Sequence, residues 1–269
     1  MALPLAGRPF LKGHGTQNDF VVLPDVDGSL VLTPDAVRRL CDRRRGLGAD
    51  GVLRVVPSRL EPDAAEHADV APWFMDHRNA DGSTAEMCGN GIRLFARYLV
   101  DAGLAEPGPL RIATRAGVKD VAVEGAGEVT VDMGPAEVGE TMLVDGDKAQ
   151  FVSMGNPHAV LEVPSVAALG ELHPDRLDLN VEYVEDVSPT HIRMRVHERG
   201  VGETRSCGTG ACAAVVATSM RTGAARGTAF DVDVPGGRLV VTWQEDGRVS
   251  MRGPAVLVAE GVLDDGLLG

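Results

Sequence analysis

Residues 207–211, C-G-T-G-A, repeat a pattern already present at residues 88–92, C-G-N-G-I, at an offset of 119. The same offset carries Gly89 to Gly208, Gly91 to Gly210, Gly117 to Gly236, and the triplet Gly134-Pro135-Ala136 to Gly253-Pro254-Ala255. A shared period of this length marks a duplicated structural unit. Its best-kept element is a cysteine followed by glycines. Two matched thiols, each presented by its own half, are the raw material of a reaction that needs an acid and a base.

Apolar periodicity places each cysteine at the start of a helix. After Cys88 the run GIRLFARYLVDA is stopped by Gly103, and after Cys207 the run GTGACAAVVATSMRT is stopped by Gly223. The second run is apolar almost all round, so other structure must wrap it. Period-two alternation follows each helix: Val121, Val123, Val129, Val131 and Met133 in the first half, Leu239, Val241, Trp243, Val249 and Met251 in the second. Gly125-Ala126-Gly127 and Asp246-Gly247 supply turns. Further strands are expected at 20–23, 51–56, 151–152, 159–163 and 192–196, and a helix opening at Thr33-Pro34 buries Val37, Leu40 and Cys41. The pattern predicts an α+β chain of two pseudo-symmetric domains, each a curved, barrel-like mixed sheet around a central helix. Residues 1–130 form the half with Cys88 and residues 131–255 the half with Cys207, while 256–269 cross back to the first half. The active site is expected in the cleft between them.

Composition limits the chemistry. With 39 acidic and 26 basic residues and a net charge of −13, the chain is unsuited to nucleic acid. No stretch is long and apolar enough for a membrane span, and the opening MALPLAGRPFLKGHG is too broken for a signal core. The expectation is a cytoplasmic protein whose four cysteines serve chemistry or packing and not disulfides. Cys41 and Cys212 take the packing reading. Cys88 and Cys207 do not: a helix start offers unpaired N–H groups and the positive end of the macrodipole, which favour a thiolate and a bound carboxylate alike.

Six segments together resemble the diaminopimelate epimerase family: H-G-T-Q-N-D-F (14–20), N-A-D-G-S (79–83), E-M-C-G-N-G-I-R (86–93), M-G-N-P-H (154–158), E-R-G-V-G-E-T (198–204) and S-C-G-T-G-A-C (206–212). The resemblance implies a cofactor-independent, metal-free enzyme that converts LL-2,6-diaminopimelate to the meso isomer by inverting one α-carbon, in lysine and peptidoglycan precursor synthesis. It also leaves room for a homodimer. It implies Cys88 and Cys207 as the catalytic thiolate and thiol, and Gly89, Asn90, Gly208 and Thr209 as the holders of the α-carboxylate. Asn18, Asn79, Asn156, Asn180, Glu198 and Arg199 match substrate contacts, and His158 and Glu198 match groups beside the reacting carbon. One position departs from the family: Gly51 stands where some members carry glutamine.

Three rival readings use the same residues. Residues 208–213 satisfy the nucleotide fingerprint G-x-G-x-x-A, but the copy at Gly89 has Leu94 in the third place. Proline and hydroxyproline racemases share the thiol pair, yet they carry histidine where Asn90 stands. A redox-sensing thiol pair would need no substrate at all. Zinc is disfavoured because no paired Cys/His spacing surrounds either cysteine.

Overall fold

A computed structural model describes residues 5–264, except 126, together with residue 266. The turn at Gly125-Ala126-Gly127, the first four residues and the end of the tail therefore fall partly or wholly outside the described residues. The chain divides into two compact units: Met1–Val129 with Ala255–Gly269, and Thr130–Pro254.

The first unit opens with the hairpin β1 (Pro9–Gly15) and β2 (Asn18–Pro24), followed by α1 (Pro34–Cys41), β3 (Gly51–Pro57), β4 (Trp73–Asn79), α2 (Gly89–Asp101), β5 (Gly108–Thr114) and β6 (Gly117–Glu124). Thr33 caps α1 by accepting from the Ala36 N–H at 3.2 Å, Pro34 supplies its first turn, and Val37, Leu40 and Cys41 are buried as the spacing predicts. Strands run antiparallel for β1–β2, parallel for β2–β3, antiparallel for β3–β4, parallel for β4–β5 and antiparallel for β5–β6.

The second unit contains β7 (Glu128–Pro135), which begins at the boundary, β8 (Glu137–Val144), β9 (Asp147–Ser153), β10 (Pro157–Glu162), β11 (Asn180–Ser188), β12 (His191–Glu198), β13 (Gly202–Thr204), α3 (Gly208–Thr222), β14 (Ala229–Val234), β15 (Gly237–Trp243) and β16 (Arg248–Pro254). From β9 its pairings repeat the signs of the first unit: antiparallel to β10, then parallel β10–β11, antiparallel β11–β12, parallel β12–β14 and antiparallel β14–β15. The last strand, β17 (Val256–Val262), pairs antiparallel with β1, as β8 pairs with β9 in the other unit.

In both units the strands enclose a helix. α2 packs against β1, β2, β3, β4, β6 and β17, and α3 against β9, β10, β11, β12, β14, β15 and β16. This explains the composition of α3, whose residues from Ala211 to Val216 are all fully buried: only small or branched apolar side chains fit on every face of a wrapped helix. Gly223 ends α3 with φ 72°, the left-handed geometry predicted for that stop.

The repeat needs one correction. The hairpin turns pair Thr114 with Gly117 and Val234 with Gly237, so the partner of Gly117 is Gly237 and not Gly236. Among the described residues no helix is long and apolar enough to cross a membrane.

His77 on β4 lies edge-on to Phe20, ring centroids 5.6 Å apart, with no partner for Nδ1 among the described residues. Burial pushes its pKa down from 6.5 to about 4, against the opposing pull of Asp76. Its contribution to stability is therefore complete above pH 6.5 and lost as pH falls through about 4, up to about 3 kcal/mol. We expect His77→Phe to flatten the pH dependence of urea-unfolding stability across that window; an unchanged slope would exclude His77 as its source.

Candidate active site

Each cysteine is the cap of its helix. Cys88 precedes α2 in extended conformation, and its Sγ accepts from the Gly91 N–H at 3.4 Å. Cys207 precedes α3 in the same way, its Sγ accepting from Gly210 at 3.4 Å. The sulfur thus occupies the place of a capping oxygen, and the positive end of the helix is directed at it. Gly89, Asn90 and Gly208 are buried and Thr209 is half-buried, which puts the first-turn backbone positions expected to hold a carboxylate beside each sulfur.

The surroundings of Cys88 are amides, a hydroxyl and a buried arginine. The β1–β2 turn consists of Thr16 and Gln17, both left-handed at φ 47° and 63°, a conformation that costs a non-glycine residue about 1–3 kcal/mol. The buried Thr16 hydroxyl donates to Asn90 Oδ1 at 3.3 Å and accepts from Arg93 at 3.2 Å, which holds the turn against α2. Arg93, fully buried, also donates to Asn90 Oδ1 at 3.0 Å and to the Gly89 carbonyl at 3.3 Å. Asn18 follows the turn. Its Nδ2 donates to Asp50 at 2.8 Å, which leaves Oδ1 to accept from the Cys88 thiol at 3.5 Å and from Asn90 Nδ2 at 3.3 Å. Asp50 is itself paired with Arg43 at 2.8 Å, and Arg43 also binds Asp19, which sits beside Lys12. Burial pushes the Asp19 pKa up, but hydrogen bonds from Arg43 and Lys12 outweigh it and hold the carboxyl at about 2. Asn79 is exposed and bonded to Ser83 at 3.0 Å, apart from the Asn18–Cys88–Asn90 bonds. At Gly51 a Cβ would come within 2.5 Å of the Arg78 carbonyl oxygen, so the local backbone favours glycine.

The surroundings of Cys207 are acidic. Its Sγ lies 3.5 Å from the Thr209 hydroxyl, which accepts from Asn156 Nδ2 at 3.3 Å. Asn156 Oδ1 meets His158 Nε2 at 3.0 Å, and His158 Nδ1 meets Glu182 Oε1 at 2.7 Å. Both His158 and Glu182 are completely buried. Glu198 accepts from Thr204; burial, more than the nearby Glu182 charge, raises its pKa. Burial likewise pushes the Cys207 thiol well up, and the charges of Glu198 and Glu182 push it further. Asn180 donates to the Pro157 carbonyl at 2.9 Å and accepts from the Arg199 backbone N–H at 3.0 Å. The Arg199 side chain is exposed, and among the described residues its guanidinium enters no ion pair.

The sheet registers make the two clusters comparable. Phe20 pairs with Gly51 as His158 pairs with Asn180, and Val52 pairs with Arg78 as Val181 pairs with His197. Asn18 therefore corresponds to Asn156, Phe20 to His158, Leu53 to Glu182 and Asn79 to Glu198. Sequence reasoning missed Thr16, Asp50, Arg93 and Glu182. Arg93 stood in the open, five residues after Cys88 in the repeated motif. Glu182 left a fainter signal, as a lone carboxylate among Val181, Tyr183 and Val184. Among the described residues no group of three or more His, Cys, Asp or Glu side chains is placed to hold a metal ion.

A family model and the most similar relatives agree on one family. The family model described as diaminopimelate epimerase matches residues 10–139 and 150–258. The chain is 53% identical to the diaminopimelate epimerase of Streptomyces coelicolor, with 96% of each covered. It is 48% identical to that of Thermobifida fusca, over 94% of this chain and 96% of the relative. A phenazine biosynthesis protein of the PhzF family from Bacillus anthracis shares the fold at TM-score 0.73 and 16% identity, covering 95% of this chain and 98% of that one. Taken with the duplicated architecture, these matches show that the chain belongs to the diaminopimelate epimerase family, a family of isomerases.

Proposed function

We propose that the protein interconverts LL- and meso-2,6-diaminopimelate by proton transfer through Cys88 and Cys207, without a cofactor, in the synthesis of lysine and peptidoglycan precursors. The observation that carries this reading is the matched pair of cysteine caps, each a sulfur at a helix start beside a glycine. One sulfur, as thiolate, takes the α-hydrogen as a proton and leaves the electron pair on carbon. The other, as thiol, gives its proton to the opposite face. Charge that builds toward the α-carboxylate is met by first-turn N–H groups at Gly89-Asn90 and Gly208-Thr209. After one turnover thiol and thiolate have exchanged roles, which suits a reversible epimerisation.

Glu198 supports the acid role of Cys207. Burial and the Glu198 charge keep the Cys207 sulfur protonated, while Gly210 N–H and the Thr209 hydroxyl lie against that sulfur and can compensate the thiolate once the proton has gone to carbon. Arg199, held at its backbone by Asn180 and with an exposed side chain, suits a forked grip on the distal carboxylate. Asn18, Asn79 and Asn156 would serve the ammonium groups.

In deuterated water with LL- or meso-diaminopimelate and nothing else added, we expect the parent to exchange the α-proton and epimerise. Cys88→Ala and Cys207→Ala should each abolish epimerisation with the fold intact, and full activity in either would end the two-thiol scheme. Arg199→Lys should cost about 1–3 kcal/mol in kcat/KM, roughly a 5- to 150-fold loss; parity with the parent would remove Arg199 from the site. Glu198→Gln removes a charge that disfavours the Cys207 thiolate, so alkylation at Cys207, followed by peptide mapping at neutral pH, should speed up. A slower reaction would mean that Glu198 does not disfavour the thiolate.

A further inference from the structure

The two halves solve the same problem differently. In the Cys88 half, Asn18 Oδ1 reaches the sulfur directly at 3.5 Å. In the Cys207 half the corresponding Asn156 bonds instead to Thr209, and it is the Thr209 hydroxyl, at 3.5 Å, that reaches the sulfur in place of the amide. Behind each cysteine stands a glycine with no Cβ. At Gly91 the vacant position faces Leu53 and Phe20 carbons at 3.4 Å, whereas at Gly210 it faces Glu182 Oε1 at 2.6 Å. A side chain on residue 210 would expel that carboxylate. The space left by the glycine is therefore used in one half for apolar packing and in the other for a carboxylate, Glu182, that the pseudo-symmetry does not require.

We propose that Glu182 is the positioning residue of the Cys207 half: through His158 and Asn156 it turns the Thr209 hydroxyl toward the Cys207 sulfur. The argument is an inventory of donors and acceptors. Asn156 Oδ1 can only accept, so His158 Nε2, 3.0 Å away, carries a proton. The short 2.7 Å bond between His158 Nδ1 and Glu182 Oε1 then holds one more proton, shared between the imidazole and the carboxyl. With Oδ1 committed to histidine, Asn156 presents Nδ2 to Thr209 Oγ1. The hydroxyl, having accepted there, has its own hydrogen left for Cys207. Among the described residues Glu182 Oε2 has no hydrogen-bond partner, so the hydrogen bonding seen for this buried carboxylate is directed at His158. Without Glu182 the imidazole loses its reason to keep the proton on Nε2. Asn156 can then turn over, and the Thr209 hydroxyl donates to Asn156 instead of sulfur.

This inference rests on the two-thiol reading for its effect on rate, but its geometry is testable without substrate. In histidine-labelled protein at neutral pH, with the His158 signals identified by their loss in His158→Gln, long-range ¹H–¹⁵N spectra should show Nε2 protonated and a low-field proton at Nδ1. Glu182→Gln, whose amide can donate into Nδ1, should keep Nε2–H, lose the low-field signal and retain epimerisation within about tenfold of the parent. Glu182→Leu, which copies Leu53 of the other half, should lower kcat about a hundredfold with KM much less affected, as expected for a misplaced reacting group. A bare Nε2 in the parent, or a Glu182→Leu enzyme as active as the parent, would overturn the proposal. Spectra of the expected form in a protein that does not act on diaminopimelate would uphold the relay and place the fault with the substrate reading.

Discussion

A sulfur standing where an oxygen normally caps a helix is the interaction on which the rest of this molecule depends. Thiol sulfur is a weak acceptor, and its contacts to Gly91 and Gly210 are both 3.4 Å long. A serine or aspartate at the same place would stabilise the helix start better, by about 1 kcal/mol. The deficit is met by burial: α2 and α3 are each wrapped by strands, and α3 is apolar on almost every face. Reactive sulfur at the cap and an enclosed helix behind it are thus two sides of one arrangement. The sheet fixes the helix so firmly that its first turn can be given over to chemistry.

The duplication supplies two caps and then breaks their equivalence. Around Cys88 the contacts are amides, a threonine hydroxyl and a buried arginine. Around Cys207 they include Glu182, Glu198 and His158, at positions corresponding to Leu53, Asn79 and Phe20. A perfectly symmetric site would treat the two faces of a carbon alike. The two thiols sit instead in different surroundings, and burial together with the charges of Glu198 and Glu182 pushes the Cys207 thiol up.

Much of this was legible in the chain before any coordinates. The helix starts, the glycine stops, the burial of Val37, Leu40 and Cys41, and the wrapped character of α3 all followed from periodicity and caps, because those signals are local. The strands that escaped were those without a clean alternation. β8, with Glu137, Gly139 and Glu140, is exposed along most of its length and carries no apolar face to read. β11 is buried for its first five residues despite Asn180 and Glu182. The partners of Glu182 and Asn18 lie 24 and 72 residues away, and no periodicity encodes such pairings. A fixed offset also hides them: 119 aligns the cysteines, but Phe20 matches His158 and Gly51 matches Asn180 only through strand register.

The return of β17 to β1 has a consequence for how the molecule is made. Pro9 pairs with Val262 and His14 with Val256, so β1 waits for β17 to be synthesised. Thr130–Pro254, by contrast, is a contiguous stretch whose pairings are complete once β16 has emerged. Synthesis from the amino terminus therefore delivers the later unit first as a finished object, while the earlier one keeps an unpaired edge at β1 until β17 has emerged. For the length of that wait, protection of the edge falls to the charged and polar residues along it, Lys12 and His14 among them.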